Sequence, residues 1–267
     1  MPSVHERLPS LQGFHARSPS PALAAYVQRF WWLDGDAAVM QNEQMLHPDG
    51  ASGVIFNFAD PMAFDGCLYR PGTLVAGPQL TSARLQLAGR VNLMGVRFRA
   101  GMGAPFLGVG LDELAGFHDA DGPRPALAGL VDRLAGLSRA EQQALVEHHL
   151  LRQLSEHPSG RAAVQQLLQQ IAASTGRTRL ADLLVDVPLG QRQLERLFRH
   201  QVGLTPKQFS RIQRIARVRH ELRAGDALLD IALACGYSDQ AHFINDFRAV
   251  VGMTPGQYRQ RARASTR

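Results

Sequence analysis

The last third of the chain repeats itself at an offset of 49 residues, and few folds accommodate such a duplication. Leu180 to Phe209 and Leu229 to Tyr258 share ten identities in 30 positions. Among them are Gln191/Gln240, Phe198/Phe247, Arg199/Arg248, Val202/Val251, Gly203/Gly252, Thr205/Thr254 and Pro206/Pro255. Leu194/Phe243, Leu204/Met253 and Phe209/Tyr258 add apolar exchanges. Chance would supply roughly two identities, so the segment holds two copies of one supersecondary unit, too few for a solenoid.

Each copy reads as a short helix, a turn and a second helix. In the first, Leu180, Leu183 and Leu184 have the spacing of a buried helical face, which Pro188 and Gly190 interrupt. Leu194, Leu197, Phe198 and Val202 then mark an amphipathic helix over about 190–202. Gly203 suits the left-handed position that ends a helix, and Thr205-Pro206 is an N-cap with an N1 proline opening the next. In the second copy, Leu229 and Leu233 precede Gly236-Tyr237-Ser238, and Phe243 and Phe247 mark a helix over about 239–251. Two helices joined by a tight turn form a helix-turn-helix, whose second helix can enter a major groove. A plain helical bundle would show the same apolar pattern.

Charge separates these alternatives. From Arg177 onward there are 16 Lys+Arg against 8 Asp+Glu, while residues 1–176 hold 13 against 15. The whole basic excess lies on the duplicated segment, as a polyanion partner requires. It is nearly all arginine, with Lys207 the only lysine. No lipidation signal or apolar-faced surface helix favours a membrane instead. The expected partner is double-stranded DNA.

The run Gly236-Tyr237-Ser238-Asp239-Gln240-Ala241-His242-Phe243, with Phe247-Arg248, Gly252, Thr254-Pro255 and Tyr258-Arg259, resembles the second helix-turn-helix signature of the AraC/XylS transcriptional regulators. Leu194-x-Arg196-Leu197-Phe198-Arg199 resembles the first. The resemblance covers about 100 residues and implies seven helices, two helix-turn-helix units and a long connecting helix. That helix would run from Thr205 to about Ala224, with Phe209, Ile212, Ile215, Val218 and Leu222 on one face and Arg211, Arg214 and Arg217 off it. Twenty residues at 1.5 Å make a rod of roughly 30 Å. Successive major-groove faces lie ~34 Å apart, so one chain would reach two of them.

Candidate DNA contacts on the first reading helix are Gln191, Arg192, Glu195, Arg196 and Arg199. The resemblance places base contacts at Arg192, Glu195 and Arg196. An arginine forks onto guanine, and a glutamate accepts from cytosine N4. The second helix contributes Gln240, His242, Asn245 and Arg248. It departs from the family's common Ser-Arg-x-Phe, carrying Ile244-Asn245-Asp246-Phe247. Asn245 can fork onto adenine, whereas Asp246 reads as a charge that repels DNA. The first unit is therefore expected to dominate sequence readout, and the second to hold the backbone through Arg248 and Gln240.

The expected fold class is α+β. A regulatory and dimerisation domain over 1–157, strand-rich to about 115 and helical over 123–157, precedes an all-α DNA-binding domain over 161–264. Gly53 to Phe58 and Val91 to Phe98 read as strands, and Val96 to Arg99 alternates with period two. Pro21 to Trp32, with Leu23, Tyr26, Val27, Phe30 and Trp31, reads as an amphipathic helix. Leu127 to Leu134 and Leu145 to Leu154 read as two more, and His157-Pro158-Ser159-Gly160 as a linker. Tyr26-Val27-x-x-Phe30-Trp31, His47-Pro48-Asp49-Gly50 and Gly95-Val96-Arg97-Phe98-Arg99 resemble an uncharacterised sensor-type domain found ahead of AraC-type DNA-binding domains.

Catalysis is not expected. His47-Pro48-Asp49-Gly50 reads as a turn rather than a metal site, and no CxxC or paired Cys/His spacing accompanies Cys67 and Cys235. A DNA-repair fusion enzyme would need a reactive cysteine cluster. Arg97 either pairs with Asp49 or lines an effector pocket with Trp31 and Phe56. The front half then either senses a small effector or acts as a protein-interaction module without a ligand. No cofactor is expected. A homodimer through residues 1–157 is, with RNA polymerase a further candidate partner. The opening Met-Pro-Ser-Val-His-Glu-Arg has no apolar h-region, so a cytoplasmic location is expected.

Overall fold

A computed structural model of the chain describes residues 13–39, 43–120, 127, 129–154, 161–176 and 190–264. Among the described residues there are ten strands and nine helices. The front half is built on two antiparallel sheets. Six strands form the larger one: β1 (Phe14–Arg17), β2 (Val27–Asp36), β4 (Gly53–Asn57), β7 (Gly72–Ala76), β9 (Arg90–Phe98) and β10 (Phe117–Asp119). Their order is β1-β2-β9-β4-β7-β10. The smaller sheet, in the order β3-β8-β5-β6, contains β3 (Glu43–Leu46), β5 (Met62–Phe64), β6 (Cys67–Tyr69) and β8 (Ala83–Leu87).

Leu33, Ile55, Leu74 and Leu93 of the larger sheet pack on Met62, Phe64, Leu85 and Leu87 of the smaller. On its other face Phe30, Val54, Phe56, Met94, Val96 and Phe98 meet α1 (Ala104–Leu107), α2 (Leu130–Leu134) and α3 (Arg139–Gln153). Both faces of β4 are thus covered, so Gly53-Val54-Ile55-Phe56-Asn57 is buried throughout and reads as a continuous apolar run. Ser138 and Glu141 form a capping box at the start of α3. That helix is tied to the sheet by Trp32 Nε1, which donates to Gln142 Oε1 at 2.7 Å, and by Arg139 Nη2, which donates to both carboxylate oxygens of Asp34 at 2.8 and 2.9 Å.

One element departs from the sequence reading. Pro21–Leu23 is a single 3-10 turn, and Val27 to Asp36 is strand β2 rather than the end of an amphipathic helix. A bulge between Val27 and Arg29 breaks the strand's two-residue alternation. Buried positions then fall at Val27, Phe30, Trp32 and Leu33, a spacing that imitates a helix.

The C-terminal helices are α4 (Arg161–Ala173), α5 (Gln191–Val202), α6 (Pro206–Ala224), α7 (Leu228–Ala234), α8 (Gln240–Val251) and α9 (Pro255–Ala264). The expected helix around Leu180 to Leu184 and the linker at 157–160 lie outside the described residues. Helix α6 is shared between two cores. Phe209 and Ile212 pack with Val164, Leu167, Ile171, Leu194 and Phe198. Ile215, Val218 and Leu222 pack with Ile231, Cys235, Phe243, Phe247 and Tyr258. Its boundaries follow from local chemistry, since Thr205 and Gln208 make a reciprocal capping box and Gly225 closes the other end at φ 101°. No helix among the described residues is long and apolar enough to cross a membrane.

Candidate nucleic-acid interface

The second helices of the two copies, α5 and α8, pack against the two halves of α6, and each is closed by the same device, a left-handed glycine. Helix α5 runs from Gly190 to a left-handed Gly203, whose N–H donates to the Arg199 carbonyl at 2.7 Å. Helix α8 starts at Asp239, which accepts from His242 N at 2.7 Å, and ends at a left-handed Gly252. Each buries one apolar stripe. Leu194, Phe198 and Val202 face inward on α5, and Phe243, Phe247, Val250 and Val251 on α8.

Opposite that stripe, Arg192, Arg196 and Arg199 stand exposed at i, i+4 and i+7 on α5, with Glu195 beside them. Gln191 Nε2 donates to Glu195 Oε1 at 3.0 Å, which holds the carboxylate along the helix surface. The 49-residue register carries this stripe onto Ala241, Ile244, Asn245 and Arg248 of α8. Gln240, His242, Asn245 and Arg248 are exposed, and Ile244 leans partly on the second core. The first helix thus presents three guanidiniums where the second presents one beside a carboxamide. The His242 ring lies edge-on to Tyr237, with centroids 5.4 Å apart.

Asp246 does not have the expected role. Its side chain is only 12% exposed, and Arg211 Nε donates to its Oδ1 at 2.5 Å. Tyr237 donates its hydroxyl to Oδ2 at 2.7 Å. Burial, and then the Asp246 carboxylate, push the Tyr237 phenol well above its ordinary value, so it stays a donor. The reading of Asp246 as a charge facing DNA is therefore corrected, because both oxygens are turned inward. Sequence reasoning could not find this, since Arg211 lies 35 residues away on α6.

Two of the other off-face arginines of α6 are also engaged within the protein. Arg214 donates to Gly176 O at 3.0 Å, and its guanidinium lies 5.3 Å from the Tyr237 ring centroid. Arg217 pairs with Glu221 at 2.7 Å, one turn along the same helix. Arg219, only 2% exposed, lies against Tyr258, to whose hydroxyl its Nε donates at 3.4 Å. Burial draws its guanidinium down to about 10, so it is charged at neutral pH.

The front half presses on this scaffold at several points. Ser82, in the 77–82 loop between β7 and β8, donates from its backbone N to Val250 O at 2.8 Å and from Oγ to the same oxygen at 3.1 Å. His47 Nδ1 lies 2.7 Å from Ser82 Oγ. Because that hydroxyl spends its proton on Val250, His47 must carry hydrogen on Nδ1 and donate it. Burial, with Arg223 adding to it, brings the imidazole down to about 4, so the ring is neutral. Its edge meets the Tyr258 ring at 5.6 Å. The same turn receives Gln213 Nε2 on Asp49 O at 3.0 Å, and Gly50 sits where a side chain would collide with Phe209. At the other unit, His200 of α5 lies 3.3 Å from Asp112. Pro78 of the 77–82 loop, together with Leu111, crowds Gly203.

His47-Pro48-Asp49-Gly50 is thus a turn, with Asp49 Oδ1 accepting from Ala51 N at 2.9 Å. Arg97 pairs with Asp49. Trp31, Phe56 and Arg97 are not gathered into one pocket. Trp31 stacks on Phe14 on the face turned to the smaller sheet, while Phe56 is buried on the opposite face. Consecutive strand positions alternate faces, and the β2 and β4 residues differ in that parity. Among the described residues, no group of three or more His, Cys, Asp or Glu could hold a metal ion.

Two family models match separate parts of the chain. A model described as "Helix-turn-helix domain" matches residues 186–261, and one described as "Domain of unknown function (DUF6597)" matches residues 15–118. The HTH-type transcriptional activator RhaR of Klebsiella pneumoniae is 36% identical over 106 residues, covering 39% of this chain and 38% of that protein. RhaS of Escherichia coli K12, also an HTH-type transcriptional activator, is 40% identical over 73 residues, 27% of this chain and 26% of that protein. The chain therefore spans about two fifths or less of these relatives. Among solved structures, ToxT from Vibrio cholerae aligns over 93% of this chain and 98% of its own at 9% identity and TM-score 0.46. The DNA-binding domain of AdpA, in complex with a target DNA, aligns over 38% of this chain and 94% of its own at 22% identity and TM-score 0.36.

Proposed function

We propose that this chain is an AraC/XylS-type regulator of transcription, a sequence-specific DNA-binding protein whose helices α5 and α8 read adjacent major grooves of promoter DNA; the helix-turn-helix match over residues 186–261 and the likeness to RhaR support this reading. One observation carries this reading: the second helices of the duplicated units, α5 and α8, pack against the two halves of the 19-residue helix α6, each with a polar stripe opposite its core. At 1.5 Å per residue that helix spans about 28 Å, close to one turn of B-DNA. Arg192 and Arg196 fork onto guanines, Arg199 and Arg248 hold phosphates, and Asn245 reads adenine. Helix α5, with two base-reading guanidiniums against one carboxamide on α8, supplies most of the discrimination.

The front half holds the protein as a homodimer and regulates the readers through the contacts of the His47–Gly50 turn and the 77–82 loop. Those contacts favour a front half that acts by touch on the DNA-binding helices, whether a partner or a small effector sets it. RhaR and RhaS are named activators, and activation through RNA polymerase is the corresponding proposal for this chain.

Binding of the full chain to genomic fragments at about 0.2 M salt, with sequencing of the retained pool, tests the function. Recovery of one shared motif with two elements about a helical turn apart is the expected result. Retention that is uniform across sequences and collapses with salt would sink it, because phosphate contacts alone behave that way.

A further inference from the structure

The residues that set α8 on α6 form one continuous polar path. It starts at Gly176, three residues past the end of α4, a helix that packs in the same core as α5, and its carbonyl accepts from Arg214. Arg214 lies against Tyr237, in the turn that precedes α8. Tyr237 donates to Asp246 near the middle of α8, and Asp246 accepts from Arg211, one turn before Arg214 on α6. Arg211 also reaches the Asp246 backbone carbonyl at 3.4 Å. The apolar contacts of α8 are made by Phe243, Phe247, Val250 and Val251, which fix its depth. Greasy contacts of this kind resist rotation about the helix axis weakly, whereas a carboxylate held from two directions resists it strongly, because hydrogen bonds are directional and apolar burial is not.

We infer that Asp246 is the positioning residue of the second reading helix: by taking Arg211 on one oxygen and Tyr237 on the other, it fixes the rotation of α8 relative to the first unit. It touches no DNA itself. The 49-residue register puts Leu197 at the matching place in the first unit, where a partly buried apolar side chain packs into the core instead. The device therefore belongs to the second copy alone. Its geometric content stands independently, and its meaning for base reading rests on the proposed function.

The test uses the full chain with spin labels on two exposed positions, Gln193→Cys on α5 and Ala249→Cys on α8, in a Cys67→Ser background. Cys235 is 1% exposed and stays unlabelled. The distance distribution between labels should be single and narrow, and should broaden or shift in Asp246→Ala and, to a lesser degree, in Tyr237→Phe. The phenylalanine variant removes one hydroxyl and keeps the ring, so it carries the test where the alanine variant fails to fold. An unchanged distribution in a folded variant overturns the inference.

On motif-bearing DNA selected by the unsubstituted protein, Asp246→Asn should lose at least about fivefold in affinity. It should also lose discrimination against one base pair inserted between the two elements. Tighter binding of Asp246→Asn to every sequence would mean that the carboxylate acts only as a repelling charge, which also overturns the inference. Failure of the unsubstituted protein to select any motif would defeat the DNA-reading proposal, while the label distances would still decide the role of Asp246.

Discussion

Gly203 and Gly252 provide a controlled comparison within one molecule. They occupy the same place in the repeat, close α5 and α8 respectively, and have φ of 77° and 83°. An alanine at either must adopt the left-handed conformation, at about 1–2 kcal/mol. Their surroundings differ. A Cβ on Gly252 meets nothing within 4 Å, whereas one on Gly203 would lie 2.6 Å from Leu111 O and 2.8 Å from Pro78 Cγ. The proline ring is stiff and the carbonyl belongs to a 3-10 turn, so the clash costs a further ~1–3 kcal/mol, as overpacking elsewhere does. Separating the front half from α5 would relieve it, so the added cost cannot exceed the free energy of that docking. At about 2–4 °C per kcal/mol for a chain of this size, Gly203→Ala should melt roughly 2–12 °C below Gly252→Ala. Both tryptophans, Trp31 and Trp32, lie in β2 and report the front half, while far-UV circular dichroism follows the helices. The two signals should separate in Gly203→Ala and coincide in Gly252→Ala. Equal losses in the two variants would refute the idea that the front half bears on the end of α5.

Removal of one guanidinium by Arg196→Ala should weaken binding to the selected motif by about 1–3 kcal/mol, and Asn245→Ala by less, as measured by titration on one fragment. A larger loss from Asn245→Ala would reverse the ranking of the two helices. Docking of the His47 turn should depend on pH with a definite sign. The imidazole is brought from 6.5 in the unfolded chain to about 4 in the fold, so its contribution is whole above pH ~6.5 and gone below about 4. Stability should fall across that window by at most about 3 kcal/mol, and His47→Asn, which keeps a donor but cannot titrate, should flatten the corresponding stretch of the curve. Substitution of Gln142 by leucine strands the buried Trp32 indole N–H and should cost about 1–3 kcal/mol of front-half stability in urea titrations. A neutral Gln142→Leu would mean that the indole finds another acceptor.

The C-terminal helices were readable because their determinants are local. Thr205 and Gln208 cap α6 from three residues apart, Gly203 and Gly252 stop the helices they follow, and duplication shows each signal twice. Strand β2 was misread because a single bulge shifts its buried positions onto helical spacing. The Asp49–Arg97 pair was one of two stated alternatives, and period-two reasoning placed Arg97 on a strand without revealing its partner. Trp31 and Phe56 looked like companions in a pocket, yet strand parity sends them to opposite faces. Nothing along the chain announces Asp246 as an internal residue, since the arginine and tyrosine that hold it come from another helix and a turn. The docking of Ser82 on Val250 joins residues 168 apart and leaves no periodic trace.

Surface loops usually absorb an added or missing residue with little consequence. The 77–82 loop is engaged at both ends, because Pro78 lies against Gly203 at the close of α5 while Ser82 is bonded to Val250 in the last turn of α8. Four residue steps separate those two contacts, at most about 14 Å of chain. The loop thus couples the ends of two helices through a short piece of chain. Lengthening it by one glycine adds a residue outside every strand and helix, yet it would change the spacing at which the front half meets α5 and α8. A change in its length therefore bears on the seating of α5 and α8 before it bears on either sheet.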